Sequence, residues 1–287
     1  MTALPLIVDL DGTLVDTDML HELAVKSIAQ APFRAIFWPL WLAKGKAYLK
    51  QQISATTDFD AALLPYNKAL LAWLEQQAGQ GRDIVLCTAS DQVIASAIAD
   101  HLGFFSEVMA SDGSNNLSGD NKAQALVDKF GEHEFDYCGN AEIDLKVWRR
   151  GRHAIVVNGS QALLDQTNAL TCVEQAFTSP RQPLKVLGAM LSRYRWFPKT
   201  ITLMVALLVA TAWMPLVWVV MGLSVLYVMF TAGPILLDLL NIEKDRQQGQ
   251  TMSGFASGIT PIWYGVALVA GTGAFSLLGL AVFVIAI

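Results

Sequence analysis

The sequence predicts an α/β fold with a doubly wound parallel sheet, followed by an α-helical transmembrane region of about three spans. Early in the chain, short apolar runs that end in polar residues alternate with segments of helical composition, which is typical of parallel sheets with crossover helices. The hydrophobic content of 53% and the mean hydropathy of +0.40 are high for a soluble protein. The apolar excess lies late, because no charged residue falls between Lys199 and Asp238 and none follows Arg246.

The first apolar run, Leu6 to Leu10, predicts a buried strand that brings Asp9 and Asp11 to its carboxyl edge, where open α/β sheets bind ligands. Gly12 allows a sharp exit from the strand, and Thr13 places a hydroxyl near the turn. Two neighbouring carboxylates repel each other unless a cation lies between them, and Mg²⁺ is the oxygen-preferring candidate. The alternative is a strand end that carries two solvated acids.

A second apolar run begins at Asp83 and ends in Thr88 and Ser90, directly before a predicted helix from Gln92 to Leu102. A hydroxyl beside the free amides of a helix N-terminus is suited to hold a phosphate group. The sequence therefore predicts an anion-binding loop at the end of this strand.

Two further units complete the alternation of strands and helices. Lys122 stands at a predicted helix start behind the loop that contains Gly119. Such a lysine is either a solvated surface charge or a group that neutralises a phosphoryl oxygen. The next strand ends in Gly139, after which Asn140 and Asp144 supply oxygen atoms that suit a hard metal ion.

These features resemble, in the right order, the four motifs of the haloacid dehalogenase (HAD) superfamily: residues 9–13, Thr88, Lys122 and the stretch from Gly139 to Asp144. The resemblance covers about residues 1–175, with a helical cap at about residues 17–65 as in phosphoserine phosphatase-like members. The family has Asp where this chain has Asn140. Since an amide oxygen coordinates Mg²⁺ without a negative charge, we expect a lower metal affinity.

The resemblance implies a Mg²⁺-dependent phosphatase that works through an aspartyl-phosphate. Asp9 would be the nucleophile, and Asp11 would serve as acid and then as base. Thr88 and Lys122 would hold and neutralise the phosphoryl oxygens. The implied phosphate-binding residues are Thr13 and Ser90, and the implied metal ligands are Asp9, Asp11 through its backbone carbonyl, Asn140 and Asp144.

Within the cap, the stretch from Phe33 to Leu42 is unusually aromatic and is followed by Lys44, Lys46 and Lys50. One interpretation is a cap edge that rests on a membrane interface. The other is ordinary packing inside a small helical cap.

Residues 176–199 are interpreted as a basic linker and juxtamembrane segment, with Lys185, Arg193, Arg195 and Lys199 clustered before the apolar run. Because one span needs ~20 residues, the run at residues 200–237 predicts two membrane helices, and residues 262–287 predict a third. The basic cluster favours a cytoplasmic N-terminal domain. We therefore expect a multi-pass protein of the inner, cytoplasmic membrane; a buried apolar hairpin in a soluble protein is the alternative.

Asp238, Asn241 and Asp245 are three and four residues apart, so a helix would place them on one face. The segment from Asp238 to Arg246, with the later stretch from Gly254 to Gly258, resembles the first aspartate motif and following loop of UbiA-type prenyltransferases. Residues 200–287 would then be a partial UbiA-like domain. The resemblance implies a weak second Mg²⁺-diphosphate site that needs further helices from a partner or from self-association.

The leading hypothesis is thus a membrane-anchored phosphomonoesterase that acts on a phosphorylated small molecule or on a polyprenyl- or lipid-linked phosphate. A prenyl or phosphoribosyl transferase part and a non-catalytic membrane remnant remain as alternatives. The net charge of -5 argues against a nucleic-acid partner. Cys87, Cys138 and Cys172 are interpreted as reduced core cysteines. No signal peptide is visible, because the first strand begins within a few residues.

Overall fold

The computed structural model describes residues 4–112, 116–178, 233–248, 262–263 and 265–267. The chain divides into two compact units, Met1–Pro180 and Arg181–Ile287. The first unit contains the sheet and every residue of the predicted phosphatase site.

The first unit is built on a six-stranded sheet in which every neighbouring pair of strands is parallel. The strands are β1 (Leu6–Val8), β2 (Ile84–Asp91), β3 (Glu107–Ser111), β4 (Asp136–Gly139), β5 (His153–Val157) and β6 (Cys172–Phe177). They lie in the order β3-β2-β1-β4-β5-β6. β2 and β3 lie on one side of β1, and β4, β5 and β6 lie on the other. The predicted doubly wound parallel fold is therefore confirmed.

The residues predicted to form a cap are helical. They comprise α1 (Met19–Gln30), a 3-10 turn (Pro32–Phe37), α2 (Trp38–Ala43), α3 (Lys46–Thr56) and a second 3-10 turn (Ala61–Leu63). Asp18 begins α1 by accepting hydrogen bonds from the amides of Leu20 and His21, as an N-cap residue does. The remaining helices of this unit are α4 (Lys68–Gly79), α5 (Gln92–Leu102), α6 (Asp120–Phe130), α7 (Leu145–Trp148) and α8 (Gln161–Leu170).

Alternation along β1 divides the apolar core between the two faces of the sheet. Leu6 and Val8 pack in one buried cluster with residues of α1, α4 and α5, and the cap rests on this side. Ile7 packs in the other cluster with Tyr137 and Leu126, which places α6 against the opposite face. The strand is therefore buried on both faces, as its uninterrupted apolar run predicts.

An ion-pair cluster fixes the amino end of β4. The Asp136 carboxylate is fully buried and accepts hydrogen bonds from Arg82, from Arg152 at 2.7 Å and from the His153 amide at 3.0 Å. Arg82 also donates to the carbonyl of Leu4 at 2.9 Å. The cluster therefore joins the segment before β1 to β4 and β5.

The structure corrects one prediction about the cysteines. Cys87 and Cys138 are buried as expected, but Cys172 is exposed, because it begins the edge strand β6, in which three of the five residues beyond it are also exposed. Within the helical cap predicted at about residues 17–65, the helices are interrupted at Pro32, where the first 3-10 turn begins, and at Gly45, directly before α3.

In the second unit, the described residues include α9 (Gly233–Leu240) and α10 (Ile242–Gln247). Among the residues with described structure, no helix is both long and apolar enough to cross a membrane. Most of the two apolar runs behind the predicted spans, residues 200–237 and 262–287, lies outside the described residues.

We expect Arg82→Met to lower the free energy of unfolding by about 3 kcal/mol, because it removes a cation from a carboxylate that has no access to water. Urea unfolding of the full chain measures this change. Lys129→Met is the matched control, since Lys129 pairs with Glu107 at the surface and such pairs contribute below about 1 kcal/mol. Equal losses in the two variants would contradict a structural role for the buried cluster.

Candidate active site

The site forms where β1, β2 and β4 end side by side. In open parallel sheets the ligand crevice lies at the carboxyl ends of strands on either side of the point where strand order reverses, and that point lies between β1 and β4 here. Asp9 directly follows β1, and its amide still pairs with the carbonyl of Cys138 at 3.0 Å. The predicted residues of four separate segments therefore share one sheet edge.

The central contact is a buried ion pair between Asp9 and Lys122. Lys122 Nζ lies 2.7 Å from Asp9 Oδ1, and the residues are 4% and 8% exposed. Helix α6 delivers the lysine from the face of the sheet opposite the cap. This contact excludes one of the two interpretations left open by the sequence, because Lys122 is not a solvated surface charge; its action on a phosphoryl oxygen stays a prediction.

Burial shifts the protonation of this pair. It raises the pKa of Asp9 to about 7, and the charges of Asp144 and Asp11 add to the rise, while Lys122 offsets only part of it. Burial is the largest single effect on Lys122 and lowers its pKa, but the charges of Asp9 and Asp144 and the hydrogen bond to Asp9 act together with smaller effects to raise the pKa overall. Lys122 therefore stays charged at neutral pH beside an acid that titrates there.

Asp11 points away from Asp9, towards the start of the cap. One of its oxygens accepts from the Met19 amide at 2.7 Å, and the other accepts from Ser90 Oγ at 2.7 Å. Burial, followed by the nearby Asp18 charge, raises the pKa of Asp11. A raised pKa in a fixed orientation suits a carboxyl group that gives and takes a proton.

The end of β2 contributes a hydroxyl and a self-capped helix. Thr88 is fully buried, and its Oγ1 accepts from the Ser90 amide at 3.0 Å. Asp91 caps α5 by accepting from the Val93 amide at 3.0 Å. One of the helix amides that the sequence predicted to be free for an anion is therefore already hydrogen-bonded. The predicted contacts of this strand end with phosphate stay a prediction.

The fourth segment is organised around Asp144. One of its oxygens accepts from the amides of Asn140 and Ala141, each at 3.0 Å, and the other accepts from the Tyr137 hydroxyl at 2.9 Å. Gly139 permits this fold, because a Cβ there would lie 2.7 Å from Asp144 Oδ2. At Gly12, where φ is +74°, a Cβ would collide with the Asn140 side chain, so Asn140 packs directly against the loop that carries Asp9 and Asp11.

The donor set fits a magnesium ion in type and in charge. Asp9, Asn140 and Asp144 offer oxygen atoms at adjoining strand ends, and oxygen is the ligand that Mg²⁺ prefers. Burial, followed by the charges of Asp144 and Asp11, raises the pKa of Asp9, and Lys122 is the cation in direct contact with it. A further cation would therefore stabilise the charged form of Asp9.

A different group of ligand atoms lies closer together. Within the described ranges, Asp136, His153 and Glu174 place one ligand atom each within 4.8 Å of one another. Arg82 and Arg152 already pair with Asp136, so this group is an ion-pair cluster and we assign no metal to it.

Two residues that contact the site, Tyr137 and Lys50, were not assigned to it from the sequence. Tyr137 Oη accepts from Lys122 Nζ at 3.0 Å and donates to Asp144, so it links the lysine to the fourth segment. In the sheet, Tyr137 of β4 pairs with Ile7 of β1, two residues before Asp9. This position close to the end of β1 is the feature that could have revealed it. Lys50 reaches from α3 in the cap to the carbonyl of Ala89 at 2.9 Å, which lies between Thr88 and Ser90.

The structure brings most of the predicted residues into contact pairs: Asp9 with Lys122, Asp11 with Ser90, Ser90 with Thr88, and Asn140 with Asp144. Thr13 differs, because its side chain is fully buried and its hydroxyl has no hydrogen-bond partner among the described residues. Its predicted contact with phosphate stays a prediction.

The weak second site lies at the junction of α9 and α10. The Asn241 amide donates to the carbonyls of Leu237 and Asp238, and the Asp245 amide donates to the Asn241 carbonyl at 3.0 Å. Helical turns therefore continue through Asn241, and Asp238, Asn241 and Asp245 follow one another along these turns.

No protein-family model matches the chain. A protein of Sinorhizobium fredii (strain NBRC 101917 / NGR234) described as uncharacterized protein y4nM is 32% identical over 251 residues, which are 85% of this chain and 48% of that protein. The chain thus spans about half the length of this curated relative.

Several solved structures of phosphatases are similar to the chain. A substrate-bound phosphoserine phosphatase complex is 13% identical, with a TM-score of 0.43 over 66% of this chain and 99% of that one. A predicted phosphatase from Clostridium acetobutylicum is 15% identical, with a TM-score of 0.46 over 62% and 95%. A HAD family hydrolase from Salmonella enterica serovar Typhi is 13% identical, with a TM-score of 0.43 over 61% and 68%.

We expect Tyr137→Phe to destabilise the chain by about 1–3 kcal/mol, because the buried Lys122 and Asp144 each lose a hydrogen bond without gaining water. Urea unfolding measures the loss. Tyr66→Phe is the control, since the half-buried Tyr66 hydroxyl donates only to the carbonyl of Ala61. An effect at Tyr137 no larger than that at Tyr66 would remove the assigned link.

Asp9 makes the stability of the metal-free protein depend on pH. Its pKa is about 7 in the folded chain against an ordinary 3.8, so between these values the folded state binds more protons than the unfolded state. The free energy of unfolding therefore falls through this group as pH rises across that window. Asp9→Asn should make the slope shallower in urea unfolding with EDTA present. Asp128→Asn, an exposed acid on α6, should leave it unchanged; parallel slopes for all three proteins would contradict the shift.

Proposed function

We propose that this chain is a Mg²⁺-dependent phosphomonoesterase that forms an aspartyl-phosphate on Asp9. The observation that carries the proposal is the buried contact between Asp9 and Lys122, beside a second acid of raised pKa at the same sheet edge. A carboxylate nucleophile, a fixed cation and a proton-carrying acid are the groups that phosphoryl transfer from a monoester requires.

The proposed reaction has two steps. In the first, Asp9 attacks phosphorus in line through Oδ2, since Lys122 engages Oδ1. The bond between phosphorus and the ester oxygen breaks, and Asp11 gives that oxygen its proton. In the second step Asp11 takes a proton from water, whose oxygen attacks the phosphorus of the aspartyl-phosphate. Phosphate leaves, and both carboxyl groups return to their starting states.

Charge and position are the main contributions of the other residues. Lys122 has a further N–H that would donate to a phosphoryl oxygen. The Thr88 hydroxyl, at the end of β2, accepts from the Ser90 amide and would donate its own proton to another phosphoryl oxygen. Ser90 holds Asp11 in place through its hydroxyl. The fold holds these groups in place before substrate binds. Little further entropy is therefore lost in positioning them during the reaction, which lowers the barrier of the chemical step.

Asp9, Asn140 and Asp144 would hold the magnesium ion, together with the backbone carbonyl of Asp11. When bound, the ion supplies positive charge that draws the phosphate group to Asp9 and reduces repulsion between the acids. Asn140 lowers the negative charge of the ligand set by one relative to an aspartate, so we expect millimolar rather than micromolar magnesium to be needed, in line with the weaker ligand charge.

We further propose that the enzyme acts at the inner, cytoplasmic membrane with its first unit in the cytoplasm. The support is the uncharged apolar runs at residues 200–237 and 262–287 and the basic residues that precede them. A phosphate monoester on a polyprenyl or other lipid carrier would be the substrate class at that location.

A prenyl or phosphoribosyl transferase part is the second candidate. The observation that favours it is the continuous turn through Asn241, which sets Asp238 and Asp245 one after the other along the helices. Such a site needs further helices from a partner or a second copy. Transferase activity that is lost in Asp238→Ala and kept in Asp9→Asn would support this candidate.

We expect Asp9→Asn to lower phosphatase turnover by roughly a thousandfold or more, because the amide cannot form the covalent intermediate. Release of phosphate from para-nitrophenyl phosphate by the full chain, with magnesium titrated, measures the loss. Lys122→Met should also lose activity, whereas Lys129→Met on the same helix should keep it. Turnover that survives Asp9→Asn would contradict the mechanism, and the absence of turnover in the unaltered chain would favour a non-catalytic membrane remnant.

A further inference from the structure

The cap exposes an apolar surface that its own core does not use. Five large side chains within ten positions are between 49% and 80% exposed, namely Phe33, Ile36, Phe37, Leu40 and Leu42; we call them the cap apolar surface. Water-exposed apolar side chains are ordinary when scattered, but a contiguous group indicates contact with another surface.

This exposure is one-sided. Trp38 and Trp41 belong to the same segment and pack against the buried core cluster of the first unit. Phe37 stacks on Trp41, with the ring centroids 6.4 Å apart. The segment is therefore an ordered, amphipathic piece of structure whose outer side lacks a partner within the described residues.

The charge of this segment points to the kind of partner. Residues 31–57 contain Arg34, Lys44, Lys46 and Lys50 and no acid, in a chain whose net charge is -5. Lys44 and Lys46 are exposed, and the Lys44 ammonium lies 4.8 Å from the centroid of the Tyr48 ring. The cap apolar surface thus ends in a cationic margin.

The combination of lysine with exposed phenylalanine, leucine and isoleucine distinguishes a lipid partner from a protein partner. Protein interfaces are depleted in lysine, whereas surfaces that lie in a membrane interface combine aromatic and aliphatic residues with lysine and arginine. Lysines near a bilayer are attracted by anionic headgroups. These residues therefore fit a lipid surface better than a protein.

We propose that the cap apolar surface docks into the headgroup region of an anionic lipid bilayer. Docking would bring the site towards the lipid, because α3 joins the cap to the end of β2 through Lys50 and the carbonyl of Ala89. The proposal deepens the membrane location proposed above and does not depend on the chemistry of Asp9.

The test places a fluorophore on the surface in the full chain. Cys172→Ser removes the exposed thiol and leaves the buried Cys87 and Cys138. Ile36→Cys is then labelled with a polarity-sensitive dye, and Gln76→Cys on the exposed side of α4 gives the control. Both proteins are mixed with phosphatidylglycerol vesicles whose acyl chains are either plain or brominated.

Docking predicts a blue shift and bromine quenching at position 36 and neither at position 76. Lys44→Glu with Lys46→Glu should reduce the quenching on phosphatidylglycerol. Vesicle-bound protein whose position 36 is not quenched would overturn the proposal and leave membrane anchoring intact. A blue shift that rises with protein concentration and needs no lipid would assign the surface to a second copy and overturn it. Quenching at position 36 in protein that alkaline carbonate strips from the vesicles would support docking and contradict anchoring.

Discussion

The structure depends on placing several carboxylates together, away from water, at the ends of parallel strands. Burial raises the pKa of both Asp9 and Asp11, which expresses the free-energy cost of keeping these groups charged. Lys122 offsets part of that cost at Asp9, and Tyr137 ties the lysine to Asp144. The part of the cost that remains at Asp9 is what a bound cation, as proposed above, would reduce.

The sheet explains why residues far apart in the chain meet. Asp9 and Lys122 are separated by 113 positions, yet the order of strands places the end of β1 between the ends of β2 and β4. Helix α6 then packs on the face that Ile7 and Tyr137 share. Close backbone approach at Gly12 and Gly139 lets the acid-bearing loops touch, which a side chain at either position would prevent.

Much of this could be predicted from the sequence, because apolar runs that end in polar residues mark strand ends in an α/β fold. Asp9, Asp11 and Asp144 follow such strand ends, whereas Lys122 is marked by its place at a helix start behind a glycine-containing loop. Orientation could not be predicted, since it depends on partners from other segments: Asp11 turns to Met19 and Ser90, and Asp91 caps α5. Tyr137 could not be predicted because a tyrosine within a buried strand is ordinarily a core residue.

The cap contacts the residues of the candidate site directly. Lys50 contacts the strand end that carries Thr88 and Ser90, and Asp11 accepts from the first residue of α1. The cap therefore helps to fix the orientation of Asp11, the proposed proton carrier. These contacts link the cap that carries the proposed lipid-docking surface to the residues of the proposed phosphate site.

The most direct test of the central claim is chemical trapping of the intermediate. Sodium borohydride reduces an acyl phosphate on aspartate to homoserine, and peptide mass spectrometry locates the change. After incubation with substrate and magnesium, the account predicts homoserine at position 9 and unmodified Asp11 and Asp144. Homoserine at another aspartate, or turnover that leaves position 9 unmodified, would contradict it.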